Sequence, residues 1–347
     1  MFSLFQGLRN RALKNRLSGR RHNRRHQSTA LGLEQLEDRR LLSTLAQIGG
    51  PGFDTLGYSS VMDAAGNIYL GGRFQQTVDF DPGPLEVALT SVGDSDGFVA
   101  KYATDGSLLW ARRYGGIGYD EGKQVALDPT GAHVYAIGYF SGSADFTDGN
   151  QPNMTSNSGD GFVLKLDAAS GATAWVRAVS GTGSSEVVGM AVGADGFVYT
   201  TGQFTGTCDF DPGPNTFALS SVIERGKTPS ADAFVWKLSP TGDLGAAWQI
   251  GGKGRDGGQN IIVDGTSFYL LGSFRGTVDL DPTSGSILRT GNYSFFYGKY
   301  STTSGSPAWV QTIGNSQSAV SGFGFGADTK QSLCRGTDRS IYCADRF

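Results

Sequence analysis

From Gly57 onward the chain alternates short apolar and β-branched runs with glycine-centred turns, a pattern that predicts strands. The first set reads Y-S-S-V-M-D-A, a turn at Ala65-Gly66, N-I-Y-L-G-G-R-F, a long connection, D-G-F-V-A-K-Y-A, a turn at Asp105-Gly106, and S-L-L-W-A-R-R-Y. Glycine accepts positive φ without steric cost, so both turns suit tight hairpins. The set predicts four short antiparallel strands, A to D.

The same set returns along the chain. Tyr69, Tyr135, Tyr199 and Tyr269 stand 66, 64 and 70 residues apart, and each has a phenylalanine five residues on, at Phe74, Phe140, Phe204 and Phe274. Trp110, Trp175, Trp248 and Trp309 are expected to occupy one equivalent place in strand D, and Lys101, Lys165, Lys237 and Lys299 one place in strand C. Four-stranded units repeated about an axis make an all-β β-propeller, with blades expected over 57–114, 122–179, 187–250 and 258–313. A β-solenoid is the alternative, but its coils are much shorter and lack hairpin turns. The end of the chain, I-Y-C-A-D-R-F, repeats the strand-B motif with Tyr342 and Phe347, so 318–347 is expected to be a partial fifth blade. The segment 44–52, T-L-A-Q-I-G-G-P-G, matches the end of a D strand. A five-bladed ring with an incomplete seam and a longer propeller cut short both fit. The polar stretch 330–339 tilts the reading toward the second.

The N-x-Y-x-x-G hairpin, the D-x-F-V-x-K strand and the Trp-bearing outer strand resemble the SBBP-type bacterial β-propeller repeat over roughly 44–347. The resemblance implies that strand A lines the central channel and strand D is outermost.

Composition adds an address. Glycine, at 53 of 347 residues, fits many tight turns. Residues 1–40 hold ten Lys and Arg against Glu34, Glu37 and Asp38, whereas the remainder holds 19 basic and 29 acidic residues, a net of −10. So acidic a body is a poor partner for nucleic acid. No run of eighteen apolar residues exists to make a transmembrane helix, and residues 1–30 lack the apolar centre of a standard secretory signal. The segment L-E-Q-L-E-D-R-R-L-L-S at 33–43 resembles the N-terminal motif L-E-x-L-E-D-R-x-L-L-S of many extracellular proteins of planctomycete bacteria. That resemblance implies export to the cell surface or beyond, with 1–43 a basic, largely disordered leader.

The sharpest candidate chemistry is an Asp-x-Asp pair in the B–C connection: Asp79 and Asp81, Asp209 and Asp211, Asp279 and Asp281. Repeat two keeps Asp145 but places Thr147 second, with Asp148 beside it. Residues two apart in extended chain point the same way, so each pair aims two carboxylates at one spot where Ca²⁺ could bind. The plainer expectation is that these aspartates cap a Pro-Gly turn by accepting backbone N–H bonds. A second set, Asp54, Asp120 and Asp256, with Ser185 and Glu186 in repeat three, follows glycines in the D–A loops and is expected to satisfy loop amides. Those glycines precede strands, so they are not a dinucleotide-binding motif.

The case for an enzyme is thin. His133 is the one histidine outside the leader, and no nucleophile–base set recurs beside it. Cys208 replaces Val78, Ala144 and Val278 and reads as a core residue, while Cys334 and Cys343 are candidates for a local disulfide. The expected function is therefore an exported, non-enzymatic propeller that binds or scaffolds a surface protein or polysaccharide, with Ca²⁺ the only cofactor in view. A surface polysaccharide hydrolase or lyase and a functionless fragment of a longer propeller are the alternatives.

Overall fold

The computed structural model describes residues 55–150, 153–222 and 230–314 and, by backbone alone, 332–335 and 341–344. The leader, the 33–43 motif, Asp54, the 44–52 segment, most of the polar stretch 330–339 and the side chains of Cys334 and Cys343 lie outside the described residues. The described residues fall in one compact unit, Thr44–Phe347, and contain no helix.

Four blades follow one another. The first is built of β1 (Thr55–Met62), β2 (Ile68–Phe74), β5 (Asp96–Tyr102) and β6 (Leu108–Gly116), with a small hairpin of β3 (Thr77–Asp79) and β4 (Ala88–Thr90) in its B–C connection. The second is β7 (Glu121–Leu127), β8 (His133–Asp145), β9 (Met154–Asp167) and β10 (Thr173–Ala178). After the short β11 (Ser180–Gly181), the third takes β12 (Ser185–Val192), β13 (Val198–Phe204), β16 (Asp232–Leu238) and β17 (Leu244–Lys253), with β14 (Thr207–Asp209) and β15 (Ala218–Ser220) as its hairpin. The fourth is β18 (Gly257–Asp264), β19 (Ser267–Asp279), β20 (Leu288–Ser301) and β21 (Pro307–Ile313). Within each blade neighbours pair antiparallel in the order A, B, C, D. A further hairpin, β22 (Ser332–Arg335) with β23 (Ile341–Ala344), packs β22 against β18. The A strands of successive blades pack against one another, so the fold is a β-propeller whose innermost strands are neighbours.

Blades are joined by burial and by backbone pairing. The motif tyrosine faces the next blade: Tyr69 packs with Val125, Phe162 and Leu164, and Tyr135 with Val187, Phe234 and Trp236. The motif phenylalanine lies on the other face, in an edge-to-face trio repeated as Phe74–Phe80–Phe98, Phe140–Phe146–Phe162 and Phe204–Phe210–Phe234. Each trio adds about 0.5–1.5 kcal/mol per ring pair beyond area burial. At each junction the end of one blade pairs with the B–C hairpin of the next, as Gly115 with Asp145, Ser180 with Asp209, and Gly251 with Asp279. The D–A glycines permit this approach, since a Cβ on Gly116 would lie 1.7 Å from the carbonyl oxygen of Ser143.

One expected equivalence fails. Trp110, Trp175 and Trp309 each stand opposite the strand-C lysine, but Ala246 faces Lys237, and Trp248 lies two residues further on, opposite Val235. Trp248 keeps an equivalent task, because the Gly305 turn of the fourth blade packs on its ring as Gly171 packs on Trp110.

Candidate functional site

The Asp-x-Asp pairs sit where alternation puts them. The residue between each pair, Phe80, Phe210 or Leu280, is fully buried, which turns the flanking aspartates away from the core. Asp79 Oδ1 accepts from the backbone N–H of Asp81 at 3.0 Å and of Val87 at 2.9 Å. Asp209 repeats this with Asp211 and Phe217 at 3.0 and 2.8 Å, and Asp279 with Asp281 and Ile287 at 3.1 and 2.8 Å. The second aspartates, Asp81, Asp211 and Asp281, accept from the N–H of Gly83, Gly213 and Thr283. These are turn-closing bonds of the Asx type. No group of three or more acidic, His or Cys side chains gathers around any of them among the described residues. Asp279 and Asp281 also line a shallow cleft of about 540 Å³ with Phe217, Leu219 and Trp248.

The D–A aspartates do what loop amides require, to different degrees. Asp120 accepts from Gly116 N–H at 2.7 Å and Ser141 N–H at 3.0 Å. Asp256 accepts from the Arg275 N–H more loosely, at 3.4 Å, and from the backbone of Gly252. Each comes to lie beside the aspartate that opens strand C, because Asp120 N–H bonds Ser95 O and Asp256 N–H bonds Ala231 O. Burial drives Asp120, Asp160 and Asp232 up to about 6, and burial followed by the charge of Asp232 drives Asp256 up to about 8. Cys208 is fully buried, and His133 Nδ1 is engaged by Asp128 at 2.8 Å.

The richest polar site lies on a rim that repeat comparison did not single out. Every A strand carries a β-bulge at the same place, leaving Tyr58, Lys123, Val188 and Gln259 as the extra residues. A bulge re-aims a side chain out of the pleat. At this level the B strands contribute the residue just before the motif phenylalanine: Arg73, Tyr139, Gln203 and Ser273. With Tyr119, Glu121, Glu186 and Arg255, several of these side chains form a linked belt from the first blade to the loop that enters the fourth. Arg73 Nε donates to Tyr58 Oη at 3.0 Å and lies 4.0 Å from Glu121 Oε2, which also accepts from Tyr119 Oη at 2.9 Å. Lys123 pairs with Glu121 and, at 3.3 Å, with Glu186. Glu186 accepts from Gln203 Nε2 at 3.0 Å, and Gln203 Oε1 accepts from the Arg255 guanidinium at 3.2 Å.

The belt borders a cleft of about 410 Å³, lined by Tyr139, Ser184, Glu186, Gln203, Ser230 and Arg255 among others. Burial lowers the Lys123 ammonium, but Glu186 and Glu121 more than reverse this and hold it above its ordinary value. Burial, then Glu186, raises the Tyr139 phenol, and burial, then Glu121, raises that of Tyr119. The site is thus a fixed array of donors and acceptors: a charged Lys, charged Arg groups and protonated phenols around two carboxylates.

No protein-family model and no curated protein matches this chain. Among solved structures it is similar to the quinohemoprotein alcohol dehydrogenase ADHIIG from Pseudomonas putida HK5, at 12% identity and a TM-score of 0.33 over 71% of this chain. The chain spans about half, 51%, of the length of that protein. The propeller fold follows from the blade topology above and takes no support from this likeness.

Proposed function

We propose that the chain is an exported, non-enzymatic binding module that takes a hydroxyl-rich ligand, a surface oligosaccharide, in the rim cleft. The observation that carries this reading is the ion pairing of the belt. Glu186, which lines the cleft, is held by Lys123, and Lys123 also pairs with Glu121 of the belt beside it. Side chains locked to one another offer fixed hydrogen-bond geometry, which suits recognition of sugar hydroxyls, and leave neither carboxylate poised as a free acid or base. Tyr139 supplies an aromatic face, and Ser184, Ser230, Gln203 and Arg255 supply polar contacts around it. The exported address rests on the resemblance of residues 33–43.

The test is calorimetric titration of a panel of acidic and neutral surface oligosaccharides, with reducing ends assayed after incubation. Binding that weakens at least tenfold in Arg255→Ala and Gln203→Ala, with no new reducing ends, is expected. Absence of binding across the panel would overturn the reading. Release of new ends, abolished by Glu186→Gln, would replace it with a hydrolase or lyase.

A further inference from the structure

In the first three blades one strand-D place stands opposite Val99, Val163 or Val235 of strand C. At the first two it is an arginine. Arg112 Nε donates to Gly171 O at 3.2 Å and lies 3.8 Å from Asp148 Oδ2, in the B–C loop of the second blade. Arg177 Nε repeats the first bond with Gly242 O at 2.9 Å. In the third blade the place belongs to Trp248, on whose ring the Gly305 turn packs. The offset of that tryptophan thus sets an indole where the earlier junctions have a guanidinium.

The 540 Å³ cleft lies at this junction. Phe217, 41% exposed, gives it an apolar side with Leu219, Ala247 and Trp248, and Asp279 and Asp281 bring two carboxylates. Its wall holds no basic residue, and among the described residues no cation pairs with either aspartate. Asp279 Oδ2 accepts from Ser286 Oγ at 2.8 Å, and Asp281 Oδ1 from the N–H and hydroxyl of Thr283. Asp281 Oδ2 has no hydrogen-bond partner among the described residues. An aromatic cleft with two carboxylates and no cation is complementary to a side chain with an apolar stem and a charged tip. Arginine has that form: its stem covers apolar surface, and its planar guanidinium stacks on rings and pairs with carboxylates. The volume is that of a ligand site and admits the chain segment bearing the arginine as well as the side chain.

We propose that this cleft docks a partner protein through an exposed arginine, which lies against Phe217 and Trp248 and pairs with Asp279 and Asp281. The partner's guanidinium supplies from outside the charge that Arg112 supplies to Asp148 within the chain at the first junction. The site shares no wall residue with the rim cleft, so it stands whether or not that cleft takes a sugar. The Oδ1 atoms of both aspartates remain in their turns, and the arginine needs only the outer carboxylate oxygens.

The experiment follows the fluorescence anisotropy of a labelled peptide of alternating arginine and glycine as the full chain is added, in about 150 mM salt to screen diffuse attraction. The wild type is expected to bind it saturably below about 1 mM. Asp281→Asn and, separately, Phe217→Ser are expected to weaken binding at least about fivefold, one through the ion pair and the other through the stem and ring contact. Asp211→Asn, in the matching loop beside Arg177, is expected to leave it unchanged. A peptide with citrulline for arginine keeps the shape without the charge and should not bind. No binding, equal binding of the citrulline peptide, or no loss in Phe217→Ser would each overturn the proposal. So would an equal loss in Asp211→Asn and Asp281→Asn, which would mean general attraction to an acidic surface. Displacement of the peptide by an equal concentration of spermidine would overturn it in favour of a free polyamine.

Discussion

The ammonium of Lys237 in the third blade donates to the carbonyl oxygen of Thr302 in the fourth at 3.0 Å. The same reach recurs from Lys101 to Ala168 at 2.9 Å and from Lys165 to Pro240 at 3.0 Å. Each lysine lies over the motif tyrosine of its own blade, 4.9 to 5.4 Å from the ring centroid. At the first two junctions the strand-D tryptophan donates to the same carbonyl, Trp110 at 3.3 Å and Trp175 at 3.1 Å. One turn carbonyl at each of the three junctions therefore takes the lysine of the preceding blade, joined at the first two by the tryptophan, and the recurring lysine is an inter-blade latch.

Lys237→Met should accordingly cost more than its position in a strand implies. It leaves the Thr302 carbonyl, in a residue only 8% exposed, without its charged donor, a loss of about 1.5–3 kcal/mol. Lys299→Met is the control: Lys299 lies 5.6 Å from the Tyr269 centroid but makes no bond to a following turn among the described residues. Its cost should stay below about 1 kcal/mol. Urea unfolding of the two variants checks the difference, and equal costs would refute the latch.

The residue two places after each motif phenylalanine is left-handed in every blade: Gln76 at φ 60°, Gly142 at 70°, Gly206 at 66° and Gly276 at 84°. Only the first blade has a side chain there. Gln76→Gly should stabilise the protein by up to about 1 kcal/mol by removing the steric cost of that conformation. Gly142→Ala should destabilise it by about 1–2 kcal/mol, a backbone effect alone, because a Cβ there meets only Ile117 Cγ1 at 3.7 Å. Thermal melts of the two variants must move in opposite directions.

Much of this was legible in the repeats because packing that recurs leaves residues that recur. Tyr69 and Phe74 mark the two faces of strand B in every copy, so the blade could be read from them. The turn-capping role of Asp79 was legible because its partners lie within its own loop. The role of Lys237 was not, since its partner lies 65 residues on and a backbone carbonyl carries no sequence mark. Nor was the two-residue offset of Trp248, because counting from the recurring neighbours of the repeat does not show strand register. The rim belt was hidden for the opposite reason: Arg73, Tyr139, Gln203 and Ser273 differ from copy to copy. Of the three variable places in the motif, this is the one that holds a polar side chain in every copy, and that was the available signal.

Stability should fall as pH rises across the acid-to-neutral range in metal-free buffer. Asp120, Asp160 and Asp232 are raised to about 6 and Asp256 to about 8, each chiefly by burial. A carboxyl with a raised folded-state value binds its proton more tightly folded than unfolded. Its contribution is complete below the unfolded value of about 4 and is lost as pH rises through the folded one. Asp63 and Asp128, lowered in the fold, act in the opposite sense below about 4. Melting temperatures should therefore decline between about pH 4 and pH 8, and Asp256→Asn should flatten the upper part of that decline. Parallel profiles for variant and wild type would exclude Asp256 as its source.

Trp110 and Trp309 hold the same register opposite Lys101 and Lys299, yet they should respond very differently to truncation. Trp110 is 8% exposed, because the Gly171 turn of the next blade covers it so closely that a Cβ on that glycine would lie 2.8 Å from the indole. Trp309 is 41% exposed, and among the described residues no following turn covers it. Trp110→Ala removes a closed inter-blade contact and should cost about 3–5 kcal/mol, whereas Trp309→Ala should cost less than about 1.5 kcal/mol. Gly171→Val should mimic the first loss, because it forces that turn off the ring from a left-handed position at φ 71°. Chemical denaturation of the three variants separates the contribution of the next blade from that of the residue itself. A Trp309→Ala loss as large as that of Trp110→Ala would mean that the tryptophan stabilises its own blade and not the junction.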